Sequence, residues 1–390
     1  VVAGVFRLGG WFRAISPAVV HGMLAGIGAL IVIGQFHTLF DAKPLASGVQ
    51  NLAAMPGRVL GLQFGDFQAA EYALLIGLVT MGGMLAWERF RPTSLRLVPG
   101  ALIGVVAATL IAFFLKLDVA RIDVPQSIVG AIDAPGAGFL SSFADPSLIV
   151  AAVAIAFIAS AETLLSAAAV DRMHDGVRTD YNKELRAQGI GNLLCGFAGA
   201  LPMTGVIVRS SANVQAGAMT RLSAILHGVW ILGFVALLPW LLREIPMAAL
   251  GGVLVITGWR LVSVSHARHL FHHYGVLPVL IWATTFILVV TTDLLTGVLA
   301  GIALSLLEIL PYGRKLRLNV EADHGETESR LALDGAATFV SLPKLSNALD
   351  SVPEGRPLHL ELKRLAGLDH SCSELLRDWL QRKRGQGMQI

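Results

Sequence analysis

The stretch Met203–Arg221, MTGVIVRSSANVQAGAMTR, lies between apolar runs long enough to cross a bilayer. It holds a single Arg209 among Ser, Thr, Asn and small residues, so it is too short and too polar for an ordinary spanning helix. A short helix that starts at membrane depth aims its unpaired N–H groups inward. Those groups and one guanidinium make an anion site. On this reading the N–H groups of Val206, Ile207, Val208 and Arg209 open the short helix, and Thr204, Gly205, Ser210 and Ser211 flank the charge. The competing reading is tight packing through small residues, and that is the reading taken for Gly217 and Ala218.

Composition agrees with a membrane setting. The 390 residues are 54% hydrophobic and only 15% charged, with a mean hydropathy of +0.66. A soluble domain carries about a quarter charged residues. The charges fall in short gaps between the apolar runs 18–40, 72–87, 97–115, 147–170, 222–242, 246–262, 276–291 and 294–311, which predicts a polytopic α-helical membrane protein. The short Gly-rich segment 188–202 precedes the polar stretch. A formal net charge of +3 is accounted for by positive-inside loops and points to no nucleic acid. The two cysteines, Cys195 and Cys372, make no disulfide framework and no metal pattern. No signal peptide is evident, and the chain opens on Val1 in mid-pattern, which reads as a fragment.

From Arg314 the composition changes. Residues 316–320, 330–334, 338–341 and 357–363 read as strands, and 344–350 and 371–381 as helices, giving a small α/β domain. The division is 1–312 for the membrane part and 313–390 for the second domain, which looks cut short at its end.

Loop charge sets the orientation. One alternating set of loops holds fifteen Lys and Arg residues and the other holds five, Lys43, Arg58, Lys116, Arg121 and Arg243. That places the α/β domain in the cytoplasm of a cell inner, or plasma, membrane, with the Asp-rich loop 116–146 outside. The parity works only if 188–215 enters the membrane and returns as short or broken segments.

Glu162 stands inside the apolar run 147–170, where a charge costs a few kcal/mol and demands a cavity or a partner. Arg209 is the natural partner, either in a functional site or in a structural ion pair. His266, His269, His272 and His273 have spacings that could hold zinc, but no Cys or carboxylate completes a set, so a solvated loop is expected. His21, His37 and His227 read as packed histidines. In LDHSCSELL, 368–376, Asp369 or Ser371 can cap a helix, and Ser371 is also a candidate regulatory serine. There is no Walker loop, dinucleotide fingerprint or nucleophile elbow, so neither an enzyme nor a cofactor is expected.

The stretches VRSSANVQAGAMTRLSAILHG (208–228), ASAETLLSAAAVDRM (159–173) and ISPAVVHGMLAGIGALIVIGQ (15–35) resemble the SulP sulfate-permease family, which includes the animal solute-carrier anion exchangers and prestin. The C-terminal part resembles the STAS domain that follows the family's membrane domain. The wording of 335–376 is similar to bacterial members that carry a carbonic anhydrase further downstream. The resemblance implies two inverted seven-segment repeats, with a core domain that holds the site and slides, elevator-like, against a gate domain. It implies a site between the facing half-helices of segments three and ten, beside segment eight. Glu162 then takes the acidic position of segment eight, and Val206–Arg209 take the start of segment ten, with Arg209 at the basic position. Val208 stands where some animal members have Ser. Ser371 stands at the phosphorylatable serine of bacterial anti-sigma antagonists, although His370 departs from their Asp-Ser-Ser-Gly wording. The chain would begin at the end of segment four, and residues 1–390 alone would not transport.

The expected function is secondary transport or exchange of a small inorganic anion, sulfate or bicarbonate, with Na+ or H+ as coupling ion, by a homodimer in the lipid bilayer. The alternatives are a dicarboxylate, other organic-anion or nucleobase carrier of the same architecture, and a membrane anion sensor or scaffold that signals through the STAS domain.

Overall fold

The computed structural model describes residues 1–9, 16–63, 68–95, 98–124, 129–136, 138–171, 174, 179–206, 209–210, 213–214, 216–262, 264–307, 318–324, 328–353, 357–385 and 387–390. The membrane part is helical: α1 Pro17–Thr38, α2 Gly48–Leu60, α3 Ala69–Phe90, α4 Gly100–Phe114, α5 Pro146–Asp171, α6 Tyr181–Phe197, α7 Leu222–Leu237, α8 Met247–Leu261, α9 Val264–Tyr274, α10 Val276–Thr291 and α11 Leu294–Leu307. Of these, α1, α3 and the apolar part of α5 are long and apolar enough to cross a membrane by themselves, and α4, α7, α8, α10 and α11 are shorter apolar helices.

Local chemistry sets the helix starts. Pro17 opens α1, where the N–H it lacks would have had no partner. The Ser47 hydroxyl accepts from the Gln50 N–H to cap α2, and the Asp180 carboxylate accepts from the Asn182 and Lys183 N–H groups to cap α6. Those last two bonds hold the Asp180 carboxyl below its ordinary range.

Most helices form one bundle. α1 runs through it, packed by α8, α10 and α11, while α3 packs on α4 and α8. Ala18, Val19 and Met23 of α1 are buried with Leu270, Ile281 and Val298, and a second cluster joins Ala73, Ile76, Ala108, Ala112, Ala248 and Ala249. Lipid tails are as apolar as these side chains, so close van der Waals fit rather than water exclusion holds the bundle together. The α1–α8 crossing shows how close the fit is: a Cβ on Gly258 would lie 2.8 Å from the Gly28 carbonyl oxygen. Only hydrogen fits at that contact.

α5 and α6 form a smaller unit beside the bundle. Phe157 of α5 packs against the Ala18–Val19–Met23 cluster. The helix Val2–Val5 lies on α6, and the Gly9 N–H donates to Asn182 Oδ1 at 3.0 Å.

In the C-terminal domain β1 Asn319–His324 pairs antiparallel with β2 Ser329–Ala337, and β2 pairs parallel with β3 Leu358–Leu368. The parallel pair needs a crossover, which α12 Leu342–Asp350 supplies. Helix α13 His370–Gly385 follows β3. Leu331 and Leu333 of β2 point to one side, where Leu345, Leu349, Cys372, Leu376 and Trp379 cover them.

The structure corrects several expectations. Residues 339–341 form a 3-10 turn rather than a strand: the Ser341 hydroxyl accepts from the Thr338 N–H at 2.9 Å and donates to the Thr338 carbonyl at 2.8 Å. The stretch between the runs 18–40 and 72–87 contains α2, and residues 188–197 of the segment 188–202 belong to α6, which starts at Tyr181. The apolar run 222–242 breaks at Leu238, where Pro239 starts the separate short helix Pro239–Leu242. His266, His269, His272 and His273 lie on α9, not in a loop. The boundary between residues 312 and 313 falls outside the described residues.

Candidate functional site

The polar stretch is a short helix entered from backbone outside any regular element. Residues 201–206 have no regular secondary structure, whereas Arg209, Ser210, Asn213 and Val214 are helical. The Ser210 N–H donates to the Val206 carbonyl at 3.1 Å, an i to i−4 bond that makes Val206 the last residue before the helix. At the other end the Ala218 N–H donates to the Asn213 carbonyl at 3.1 Å and the Gly217 N–H to the Val214 carbonyl at 2.9 Å. Gly217 takes φ +92° there. This is a Schellman stop, and its left-handed residue is why a glycine is needed.

The extended approach is pinned to α5. Gly205 N–H donates to Thr163 Oγ1 at 2.9 Å, Thr163 and Thr204 hydroxyls are 2.9 Å apart, and Thr204 Oγ1 donates to the Ala159 carbonyl at 3.2 Å. Proton directions are consistent all the way through: Gly205 N–H to Thr163, Thr163 O–H to Thr204, Thr204 O–H to Ala159. Ser166 Oγ donates to the Gly205 carbonyl at 3.1 Å. Thr163 and Ser166 are each 4% exposed. Ala159, Glu162, Thr163 and Ser166 fall on one face of α5 by i, i+3 and i+4 spacing.

Glu162 therefore sits in the helix turn that grips the approach to the short helix, and it is half-buried. Arg209 is exposed, in the first turn of that helix. Among the described residues no ion pair within 4.0 Å joins Glu162 to Arg209, so the expected pairing is absent from this conformation. Geometry explains the separation: Thr163, not Glu162, contacts the chain entering the short helix, and Arg209 lies a turn beyond that contact. The structure brings Thr163, the residue after Glu162, together with Thr204 and Gly205 along one seam, and the Ser210 N–H bonds back to the Val206 carbonyl. Ile207 and Val208 lie outside the described residues. Ser371 lies in the C-terminal domain, 1% exposed at the start of α13.

Sequence reasoning missed four contributors to this seam: Thr163, Ser166, Gln188 and Asn192. A signal existed for each. Thr163 and Ser166 follow Glu162 by one and four residues, and Gln188 and Asn192 stand four apart, on one face of α6.

The profile described as Sulfate permease family matches residues 1–285. YvdB of Bacillus subtilis strain 168 is 26% identical over 406 residues, covering 99% of this chain and 74% of that protein. The bicarbonate transporter BicA of Synechocystis sp. PCC 6803 is 28% identical over 330 residues, covering 83% of this chain and 55% of BicA. The overall structure of SLC26A9 superposes with a TM-score of 0.66 at 16% identity, covering 100% of this chain and 68% of that one, a likeness of fold. A family match over 285 residues, with the helical architecture it requires, leads to one conclusion: this chain belongs to the sulfate permease family.

Proposed function

We propose that the chain acts in secondary transport or exchange of a small inorganic anion, sulfate or bicarbonate, with the cargo seated at the start of the short helix. The observation that carries this reading is the helix start after Val206, with the exposed Arg209 in its first turn. Unpaired N–H groups at a helix start carry about half a positive charge, and a guanidinium adds a full one. No metal is needed to hold an anion there. Thr204, Gly205, Val206, Ile207, Val208, Arg209 and Ser210 form the seat in this proposal, and Glu162 sets the local charge and couples Na+ or H+. BicA, a relative at 28% identity, is named a bicarbonate transporter, which favours that anion class over a neutral ring.

The α5–α6 unit is the carrying part and the α1–α3–α4–α8–α10–α11 bundle the stationary one, in an elevator motion. Among the described residues, the side-chain hydrogen bonds that pin the seat run to α5 and α6, so seat and unit travel together. The C-terminal domain is a cytoplasmic STAS domain, and the working unit is a homodimer.

The test is uptake of radiolabelled sulfate and of bicarbonate into proteoliposomes that carry the gene product containing this chain, with and without a sodium gradient. Saturable uptake of one anion is expected. Absence of saturable uptake for both, with anion binding still measurable, would favour a sensor that signals through the C-terminal domain.

A further inference from the structure

The extended residues ahead of the short helix belong to no sheet among the described residues, yet one side chain pairs with them as a neighbouring strand would. Asn192 Oδ1 accepts from the Met203 N–H at 2.7 Å, and Asn192 Nδ2 donates to the Met203 carbonyl at 2.9 Å. Both backbone groups of one residue are thus satisfied by a single carboxamide. One turn earlier on α6, Gln188 Nε2 donates to the Ala159 carbonyl at 2.9 Å and reaches the Met203 carbonyl at 3.5 Å. Gln188 is 6% exposed, and among the described residues its Oε1 has no partner. Its amide is therefore held by the donor side, on carbonyls of α5 and of the extended stretch together.

We infer that Asn192, backed by Gln188, is a positioning residue that fixes the register of Met203–Val206 and so sets where the anion-binding helix start stands; this rests on the reading of that start as the seat. The magnitudes support it. Extended residues advance ~3.3 Å each, so a slip of one residue moves the helix start by that much. A hydrogen bond is gone beyond ~3.6 Å between heavy atoms, which leaves no tolerance for such a slip. The chemistry is selective as well. A carboxamide presents one donor side and one acceptor side to the N–H and C=O of one residue; an aspartate offers acceptors only, and a leucine neither. The contact spans α6 and the stretch, and Gln188 ties both to Ala159 of α5, one turn before Glu162 and Thr163.

The experiment compares Asn192→Leu and Asn192→Asp with the parent in the gene product containing this chain. It reads half-saturation and maximal rate for sulfate and bicarbonate uptake, and hydrogen exchange at the amides of Met203–Val206. The expected result is about a tenfold rise in half-saturation for Asn192→Leu with the maximal rate within about twofold, a smaller rise for Asn192→Asp, and faster exchange in both, as loss of one or two hydrogen bonds dictates. An Asn192→Leu protein with unchanged half-saturation and unchanged exchange overturns the inference. If that variant does not fold, Asn192→Asp decides in the same way. A parent that saturates with neither anion removes the seat and the inference together; a saturating parent with unaltered variants removes the inference alone.

Discussion

Thr163 and Thr204 hold their hydroxyl oxygens 2.9 Å apart, and through that contact the spanning helix α5 grips the chain just before it turns into the short helix. Thr163 also accepts the Gly205 N–H at 2.9 Å. Thr163→Val keeps the shape and removes both bonds, leaving a part-buried N–H without an acceptor. An unsatisfied buried donor costs ~1–3 kcal/mol. The variant is expected to melt lower and to exchange the Gly205 amide faster, while Thr163→Ser restores both. Equal melting and exchange in the valine and serine variants would show that the hydroxyl contributes nothing.

Arg209 offers a cleaner separation of binding from folding. Its side chain is exposed and, among the described residues, lacks an ion-pair partner within 4.0 Å, so its removal disturbs no packing. Exposed substitutions change stability by about 0.5 kcal/mol or less. Arg209→Ala is expected to raise the half-saturating anion concentration about tenfold or more, the effect of losing one charge-assisted hydrogen bond. Arg209→Lys keeps the charge but not the planar fork, and falls between the two. Anion uptake measured beside a melting curve checks this. Unchanged uptake by Arg209→Ala would refute the seat.

What was readable in the sequence and what was not divides along a physical line. Spans such as 72–87 and 147–170 announce themselves through length and apolarity, because lipid demands both. In the sequence Gly217 reads as packing and 222–242 as one run, whereas the structure makes Gly217 a helix stop and breaks the run before Pro239, through backbone preferences that need no tertiary partner. The seam is different. Thr163, Gln188 and Asn192 act by reaching backbone elsewhere in the chain; helical spacing groups them on faces but does not say which backbone group each one meets. The expected Glu162–Arg209 pair failed for the same reason: opposite charges in neighbouring segments say nothing about the turn of helix each occupies. The amphipathic helices α2 and α9 were hidden by being short and polar, which the search for spans passes over.

Asp293 gives a pH-dependent prediction outside the spans. Its carboxylate accepts from the Thr296 N–H at 2.9 Å and from the Thr296 hydroxyl at 2.6 Å, capping α11. Those bonds hold the Asp293 carboxyl below its ordinary range. A depressed carboxylate contributes stability that is complete above the unfolded value near ~3.9 and is lost as pH falls through the lower folded value. Asp293→Ala should therefore melt lower than the parent at neutral pH, by about 1 kcal/mol of capping energy. The gap should close below that range. Melting curves across acid pH read this directly, and a gap independent of pH would sink the assignment.

Ser371 decides how the C-terminal domain can be regulated. The cap of α13 is Asp369, whose Oδ1 accepts from the Cys372 N–H at 2.8 Å while its other oxygen accepts from the Phe339 N–H. The next residues are shut in: Ser371 is 1% exposed and Cys372 fully buried, and burial pushes the Cys372 thiol up. A charge placed on Ser371 would therefore be buried and would stand beside the Asp369 carboxylate, with desolvation and like-charge repulsion acting together. Ser371→Asp is expected to loosen the domain by about 2 kcal/mol or more, seen as faster hydrogen exchange along β2 and β3, while Ser371→Ala stays close to the parent. On that outcome a negative charge on Ser371 regulates by opening the domain rather than by decorating a fixed surface, since a side chain 1% exposed meets solvent only when the packing around it opens. Should Ser371→Asp exchange no faster than Ser371→Ala, the side chain already has a route to water, and a surface-docking role for the serine takes its place.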